Sequence, residues 1–343
     1  MSLSKEYTPE EIEELESKAI QFHNALFNSQ GITDEGLEDI ANIICTTTNE
    51  ERQIIRAKYK KENNHPIQDD IKSQLVESFP LLMDLCLDMF DTPYEFDARE
   101  LNKILSVIGA EEDIVIEIFV TRPKSHLEIV DVAYKKFFGI SLKEEIQNQF
   151  QKQFAQFLLS IMESERPFEQ TISGDEAYAF AKEIAQNGYK AYCNDVNLFK
   201  KTFLEKSRED LILISRAYYE LEQKDLYDIF EEENIIQKSL FDEQEEEKKV
   251  RNKNAKLIKG ILFGVIAPAQ FYAKKCISCL TGFTTDIKTL FRVLVNRVEI
   301  DMDAIRDYYL KETNCEITKD IENEATCKEN NEIGSILSYL SSK

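Results

Sequence analysis

The stretch Leu280–Tyr309, LTGFTTDIKTLFRVLVNRVEIDMDAIRDYY, shows the unit from which the chain is built. It opens with a short loop that contains Gly282. Apolar residues follow at positions 287, 290, 291 and 294, and this i, i+3, i+4, i+7 spacing predicts an amphipathic helix. Asn296 and Glu299 lie three residues apart and are predicted to cap a second helix that continues to Tyr309.

This unit of loop and helices occurs four times along the chain. The acidic end of the loop falls near positions 34, 111, 195 and 286, so the copies begin roughly 80 residues apart and must each contain several helices. A second helix follows in each copy, with a capping box predicted at Thr48 and Glu51 in the first. We count about five helices in each copy and find no convincing strand.

The four copies predict the following division of the chain. A polar linker separates the second repeat from the third, and an acidic insertion interrupts the third before its last helix. The boundaries are 1–16 for an N-terminal leader, 17–90 for repeat one, 91–163 for repeat two, 164–176 for the linker, 177–267 for repeat three with the insertion at 239–256, and 268–343 for repeat four. The charge run of the insertion indicates a solvated, mobile segment, and a binding element is the alternative.

The composition excludes several classes of partner. Among 343 residues, 43% are hydrophobic and only 10 are Gly and 7 Pro, which is typical of a helical globular protein. The formal net charge of −22 argues against nucleic acid and against direct adhesion to an anionic bilayer, because both attract clustered Lys and Arg. If this protein meets an anionic surface, a cation must mediate the contact.

The chain is expected to be cytoplasmic. Its N-terminus is charged and lacks the apolar core of a signal peptide. The most apolar run, 257–271, contains Lys259 and Pro268 and is too short to span a bilayer. The odd number of cysteines, seven without framework spacing, fits a reducing compartment.

Two segments resemble the annexin family closely. Residues 292–306 (RVLVNRVEIDMDAIR) match the fourth annexin repeat, and residues 59–75 (YKKENNHPIQDDIKSQL) match a segment of the first. The resemblance implies an all-α, four-repeat array with about five helices per repeat in a right-handed superhelix. Divergent protist relatives, giardins included, vary the same pattern, and this chain, rich in Lys, Glu, Asn and Ile, looks closer to them than to vertebrate annexins.

The resemblance also implies a calcium site in the loop between the first two helices of a repeat. The annexin loop reads approximately M-K-G-x-G-T, and an acidic residue about 39 positions after its Thr completes the site. Ca²⁺ takes six to eight oxygen ligands, so carbonyls, a bidentate carboxylate and lipid phosphates can fill its shell. In repeat four the ligands are the carbonyls of Leu280, Gly282 and Thr284 with the carboxylate of Glu324, although Thr284 stands where a second glycine belongs.

The other three repeats have lost more of this pattern. Repeat two keeps Gly109 but has Gln149 in place of the carboxylate, and a neutral amide cannot chelate as a carboxylate does. Repeat three has no glycine in 190–194, although Glu233 is correctly spaced, and repeat one has Gln74 at the acidic position. Only repeat four is predicted to bind calcium; the alternative is that all four loops merely join helices.

No residue pattern predicts an enzyme. Cys276 and Cys279 form a C-x-x-C inside a predicted helix, so buried helix-face residues are favoured over a redox or zinc pair. The histidines, His23, His65 and His126, have no partner at a recognisable catalytic spacing. The acidic pairs at 69–70 and 144–145 are interpreted as solvated helix surface.

The sequence therefore predicts a non-enzymatic protein that binds anionic phospholipid membranes peripherally and in a calcium-dependent manner. Because most calcium loops are degenerate, this binding is expected to be weak. The alternative belongs to another class, a calcium-independent scaffold that binds cytoskeletal or membrane-skeleton proteins through the acidic insertion.

Overall fold

The computed structural model describes residues 5–29, 31–107, 112–230, 243–281, 286–329 and 331–343, and this part of the chain is helical with no strand. The first ten helices are α1 Pro9–Leu26, α2 Asp34–Thr46, α3 Asn49–Asn63, α4 Ile67–Leu75, α5 Pro80–Phe90, α6 Pro93–Leu105, α7 Glu112–Thr121, α8 Lys124–Phe138, α9 Leu142–Gln149 and α10 Lys152–Glu163. The remaining helices are α11 Gly174–Asn187, α12 Tyr189–Asn194, α13 Val196–Phe199, α14 Arg208–Glu222, α15 Glu243–Ile266, α16 Pro268–Thr281, α17 Ile287–Arg297, α18 Met302–Thr313, α19 Ile317–Asn323, α20 Ala325–Glu329 and α21 Asn331–Ser342. The all-α repeat fold is thereby confirmed.

The chain divides into two compact units. The terminal unit combines Met1–Pro93 with Ala269–Lys343, and the central unit is Tyr94–Pro268. The two ends of the sequence therefore share one hydrophobic core, to which α1–α5 and α16–α21 contribute. The boundaries of the four individual repeats stay a prediction.

Side-chain caps begin several of the helices. The capping box predicted at Thr48 and Glu51 is present at the start of α3: the Thr48 hydroxyl accepts from the Glu51 N–H, and the Glu51 carboxylate accepts from the Thr48 N–H. Thr8 and Ser173 cap α1 and α11 in the same reciprocal way. Each such cap satisfies backbone donors that the first helical turn would otherwise leave unpaired.

The terminal unit repeats one buried hydrogen bond. The Tyr59 hydroxyl of α3 donates to Asp70 of α4 at 2.5 Å, and the Tyr309 hydroxyl of α18 donates to Asp320 of α19 at 2.7 Å. Both pairs are eleven residues apart, as expected for copies of one unit. Asp70 is buried, so its interpretation as solvated surface is wrong: a neighbouring helix supplies a partner that the local sequence does not show.

The predicted cap at Asn296 and Glu299 is wrong. Helix α17 continues through Asn296 to Arg297, and the next helix begins only at Met302, after Asp301. The guanidinium of Arg297 donates to the Asp301 carboxylate at 2.6 and 2.8 Å across the intervening turn. Glu299 lies in this turn and accepts hydrogen bonds from α3 instead.

The insertion predicted at 239–256 is helical where the structure describes it. Residues 243–256 form the first part of α15, while 239–242 lie outside the described residues. Lys253 pairs with Glu112 at 2.8 Å, and Lys256 pairs with Asp113. A run that looks uniformly polar in sequence therefore packs against α7 through its lysines.

Candidate calcium site

The described ends of the fourth-repeat loop lie close together. Leu280 lies half-buried in the last turn of α16, while Gly282 and Thr284 lie outside the described residues. The backbone N–H of Asp286 donates to the Cys279 carbonyl at 3.3 Å, so the loop begins and ends at nearly the same point. The Asp286 carboxylate caps α17 by accepting from the Thr289 N–H at 3.0 Å.

Glu324, the predicted carboxylate ligand, lies directly after α19. Its backbone is extended, with φ −69° and ψ 137°, and its N–H donates to the Ile321 carbonyl at 3.1 Å. The residue is half-buried. Burial, together with the nearby Glu324 charge, raises the pKa of the Cys327 thiol to about 11.

The predicted ligand set fits calcium by its chemistry. One carboxylate and backbone carbonyls are hard oxygen donors, which Ca²⁺ prefers over nitrogen or sulfur. Within the described ranges no three His, Cys, Asp or Glu residues cluster as a metal site. Since two of the four ligands lie outside those ranges, the assignment of Leu280, Gly282, Thr284 and Glu324 stays a prediction.

The first repeat presents an amide at the corresponding position. Gln74 lies in the last turn of α4, and its Nε2 donates to the Ser73 hydroxyl at 3.2 Å. Gly31 adopts a φ of +83° in the loop that precedes α2, a conformation that favours glycine. Thr33 then caps α2. The loop keeps a glycine turn, but the residue opposite it has no charge with which to hold a cation.

The second repeat has lysines beside its loop. Gly109, the glycine it keeps, lies outside the described residues, and α7 begins directly after the gap, at Glu112. The acidic first turn of α7 is paired with Lys253 and Lys256 of α15. Gln149, the last residue of α9, donates to Glu145 at 3.0 Å. Glu112 and Asp113 are thus paired with ammonium groups, and the position predicted to supply a carboxylate has a neutral amide.

The third-repeat loop is replaced by helix α12. The Ala191 carbonyl accepts from the Asp195 N–H at 3.1 Å. The Cys193 carbonyl accepts from Asn254 Nδ2 at 2.7 Å, and that of Asn194 accepts from Gln153 Nε2 at 3.2 Å. These carbonyls bond within the protein, so they do not converge on an ion. Glu233, the spaced carboxylate, lies outside the described residues.

Each histidine has a partner that sequence spacing did not reveal. His23 Nδ1 lies 3.0 Å from the Tyr59 hydroxyl, and His65 Nε2 lies 2.7 Å from the Asp70 carboxylate. The hydrogen bond to Asp70 raises the pKa of His65. His126 Nε2 lies 2.8 Å from Asp97, a carboxylate that also accepts from Arg122. The His23 and His126 pairs each link two helices, whereas His65 lies in the turn before α4, and none of the three pairs includes a serine or cysteine nucleophile.

The C-x-x-C pair is buried. Cys276 and Cys279 lie on the buried side of α16, in the core of the terminal unit. The interpretation as buried helix-face residues is confirmed, because a packed core gives a metal or an oxidant no access.

Comparison with known proteins identifies the family. A family model described as Annexin matches residues 31–80, 96–161 and 271–327, slightly more than half of the chain. The chain belongs to the annexin family. Mouse annexin A13 is 27% identical over 278 residues, which cover 80% of each protein. Rat annexin A1 is 26% identical over 272 residues, 79% of this chain and 73% of that protein.

Solved structures show the same fold. Annexin A8 superposes with a TM-score of 0.80 at 18% identity, covering 100% of this annexin and 97% of that chain. A calcium-bound α-14 giardin gives a TM-score of 0.70 at 12% identity, covering 94% and 99%. The giardin resemblance is thus present in the fold, although the TM-score is higher for annexin A8.

The family match separates properties that annexins share from features of this chain that the family model does not cover. Annexins in general bind anionic phospholipid in a calcium-dependent manner and are not enzymes. The matched segments leave out 162–270, the part that contains α12 and α15. In the described ranges, no helix is long and apolar enough to cross a membrane.

Proposed function

We propose that this annexin binds anionic phospholipid surfaces peripherally through calcium held by its fourth repeat. The carbonyls of Leu280, Gly282 and Thr284 and the carboxylate of Glu324 are the protein ligands. One observation carries the proposal: Glu324 places a carboxylate directly after α19, where the first and second repeats have Gln74 and Gln149. Lipid phosphate oxygens would complete the calcium shell.

The charge of the protein makes the cation necessary. A net charge of −22 repels a phosphatidylserine surface, so attachment requires an ion that both partners coordinate. Because Thr284 replaces one of the two loop glycines, the affinity for calcium is expected to be roughly millimolar, as in low-affinity oxygen sites. Attachment of this kind would place the protein on the cytoplasmic side of a membrane only while calcium is high.

Co-sedimentation with phosphatidylserine liposomes tests the proposal. The wild type and Glu324→Gln are compared at millimolar calcium and in chelator, with Glu329→Gln of α20 as an exposed control for the charge change. Wild type and control should pellet only with calcium, whereas Glu324→Gln should stay in the supernatant. Equal pelleting of all three variants would overturn the site.

The alternative function is a calcium-independent scaffold. The same experiment would support it if the wild type stays in the supernatant both with calcium and in chelator. The observed packing of α15 does not favour it. Lys253 and Lys256, in the segment expected to bind partners, are already paired with α7. Membrane binding therefore remains the single function proposed.

A further inference from the structure

A cavity of about 650 Å³ lies within the central unit, remote in sequence from the predicted calcium ligands. It is bounded by the C-terminal end of α7, by residues 164–169 after α10, and by the last turns of α15. Its size falls within the roughly 300–1,000 Å³ typical of small-molecule sites. Cavities of this size commonly combine apolar walls with a few polar groups that orient a ligand.

The walls of the cavity are largely apolar. The aliphatic and aromatic side chains that line it come from four separate segments, namely Phe119, Val120, Ile161, Leu204, Ile261 and Val265. At the rim, Phe168 is 94% exposed, the highest exposure of any large apolar residue described. Exposure of a whole phenyl ring to water is unfavourable, so a ligand that covers it would be stabilised.

Arg166 supplies a buried positive charge beside these walls. Its Nη1 donates to the Lys206 carbonyl at 2.5 Å and its Nη2 to the Phe203 carbonyl at 2.9 Å. Burial lowers the pKa of Arg166 to about 10, so the guanidinium is still charged at neutral pH. Both carbonyl partners are neutral, and among the described residues no carboxylate is paired with this guanidinium. An anion would offset that charge.

A second polar group of the cavity lacks a partner. The hydroxyl oxygen of Ser164 is buried and has no hydrogen-bond partner among the described residues. A buried hydroxyl without a partner is unfavourable, and a bound hydrogen-bond acceptor would remove that cost. Ser164 and Arg166 are two residues apart in one extended segment, and both line the cavity. Together they offer an O–H and N–H donors to one ligand.

The other three cations that line the cavity, Arg122, Lys124 and Arg208, have partners of their own, and Lys124 Nζ lies 3.9 Å from the Glu128 carboxylate. Arg122 donates to the buried carboxylate of Asp97 at 2.7 Å. Arg208 donates to the Ile266 carbonyl at 2.9 Å and lies 3.6 Å from Glu209. Among the described residues, Arg166 is thus the lining cation without a carboxylate partner, and the carboxylates of Glu165, Glu169 and Glu209 also line the cavity.

We propose that this cavity binds a small amphiphilic anion, with its carboxylate or phosphate beside Arg166 and Ser164 and its apolar body against Val120, Ile261 and Val265. The apolar walls favour an alkyl or aromatic body, and the donors select a single anionic group. Binding would not need calcium or a membrane. The site is therefore independent of the proposed fourth-repeat site and can be tested apart from it.

Isothermal titration calorimetry in chelator tests the charge requirement. The probe is dodecanoate below its micelle concentration; dodecyl phosphate distinguishes the two anionic groups, and dodecyltrimethylammonium is the cationic control. We expect saturable 1:1 binding of at least one anion and none of the cation. Arg166→Gln should weaken binding at least about 10-fold, the loss expected for one charge-assisted hydrogen bond. Arg166→Lys should retain part of it.

Two further variants separate the cavity from general effects. Val265→Trp fills the cavity and should abolish binding, whereas Val132→Trp on the exposed face of α8 should not change it. Arg216→Gln, an exposed charge change on α14, controls for Arg166→Gln. Equal anion affinity in wild type and Val265→Trp would overturn the proposal, as would binding of the cation or no binding of either anion. If Arg166→Gln fails to fold, the comparison of anion binding by the wild type and Val265→Trp still tests whether the cavity binds the anion.

Discussion

The guanidinium of Arg52 in α3 lies 3.0 Å from the carboxylate of Glu299 in the turn between α17 and α18. The two residues are 247 positions apart and join the first and last parts of the chain within the terminal unit. Arg52 is buried and also donates to the carbonyls of Ile44 and Met89. The same glutamate accepts from the Asn49 N–H at 2.8 Å.

Replacing Glu299 should destabilise the terminal unit. Glu299→Gln removes the negative partner of a buried guanidinium, so the free energy of unfolding should fall by about 1–2 kcal/mol. Urea unfolding followed by circular dichroism measures the change. Glu316→Gln is the matched control, because its pair with Lys319 is exposed on both sides and should contribute little. An equal effect of the two substitutions would contradict the structural role of the Arg52 pair.

Asp210 should make the central unit sensitive to acid. Burial alone would raise the pKa of this carboxyl, but hydrogen bonds from the Thr171 hydroxyl and from the N–H groups of Ser207, Thr171 and Ile172 outweigh it and lower the pKa to about 2. Because the folded pKa lies below the unfolded value near 4, the stabilisation is complete above about pH 4 and is lost toward pH 2.

Asp210→Asn tests this dependence. At pH 7 it should lower the free energy of unfolding by about 2 kcal/mol, and the difference from wild type should shrink as the pH falls below about 4. Thermal unfolding between pH 7 and pH 3 measures it. Glu220→Gln, an exposed change on the same helix, should show no such convergence. A constant difference at every pH would rule out the ionised carboxylate as the cause.

Close packing of α15 on α7 should require glycine at position 260. A Cβ on Gly260 would lie 2.9 Å from Cγ2 of Ile116, a β-branched side chain that cannot swing away. Gly260→Ala should therefore destabilise the protein by about 1–3 kcal/mol, in spite of the higher helix propensity of alanine. Gly174→Ala in the first turn of α11 is the control, since nothing lies within 4 Å of the added methyl. Similar melting temperatures for the two variants would contradict this packing.

Calcium uptake should depend on Glu324. Calorimetric titration of the wild type with calcium, without lipid, should give one weak site, and Glu324→Gln should remove its heat. Glu329→Gln should behave as wild type, because this exposed α20 residue is not among the predicted ligands. Equal heats in all three proteins, or none at millimolar calcium, would show that the fourth repeat does not bind the ion.

Local sequence patterns predicted the features that depend on neighbouring residues. The capping box at Thr48 and Glu51 needs only four consecutive residues, and it is present at the start of α3. The absence of glycine from residues 190–194 indicated that the third repeat has lost the calcium-loop pattern. Features of this kind are encoded within one or two helical turns, so a pattern suffices to find them.

Patterns failed where a distant element supplies the partner. Asn296 and Glu299 have the spacing of a cap, yet α17 runs on, and Glu299 instead accepts from Arg52. The charged run at 239–256 was expected to be solvated because its sequence gives no sign of a packing partner. Glu112 and Asp113, the partners of two of its lysines, lie more than a hundred residues earlier in the chain.

The sequence by itself determined the helical repeat, the family, and the loss of the carboxylate in the first two repeats, because helix periodicity, local caps and ligand identity are properties of short segments. Only the tertiary structure decided that Arg52 forms an ion pair with Glu299 and that lysines of α15 pair with carboxylates of α7. It also decided that Arg166 lines a largely apolar cavity. Burial and charge compensation depend on which distant segments pack together. Those contacts arise when the hydrophobic faces of separate helices are removed from water, and no single segment encodes them.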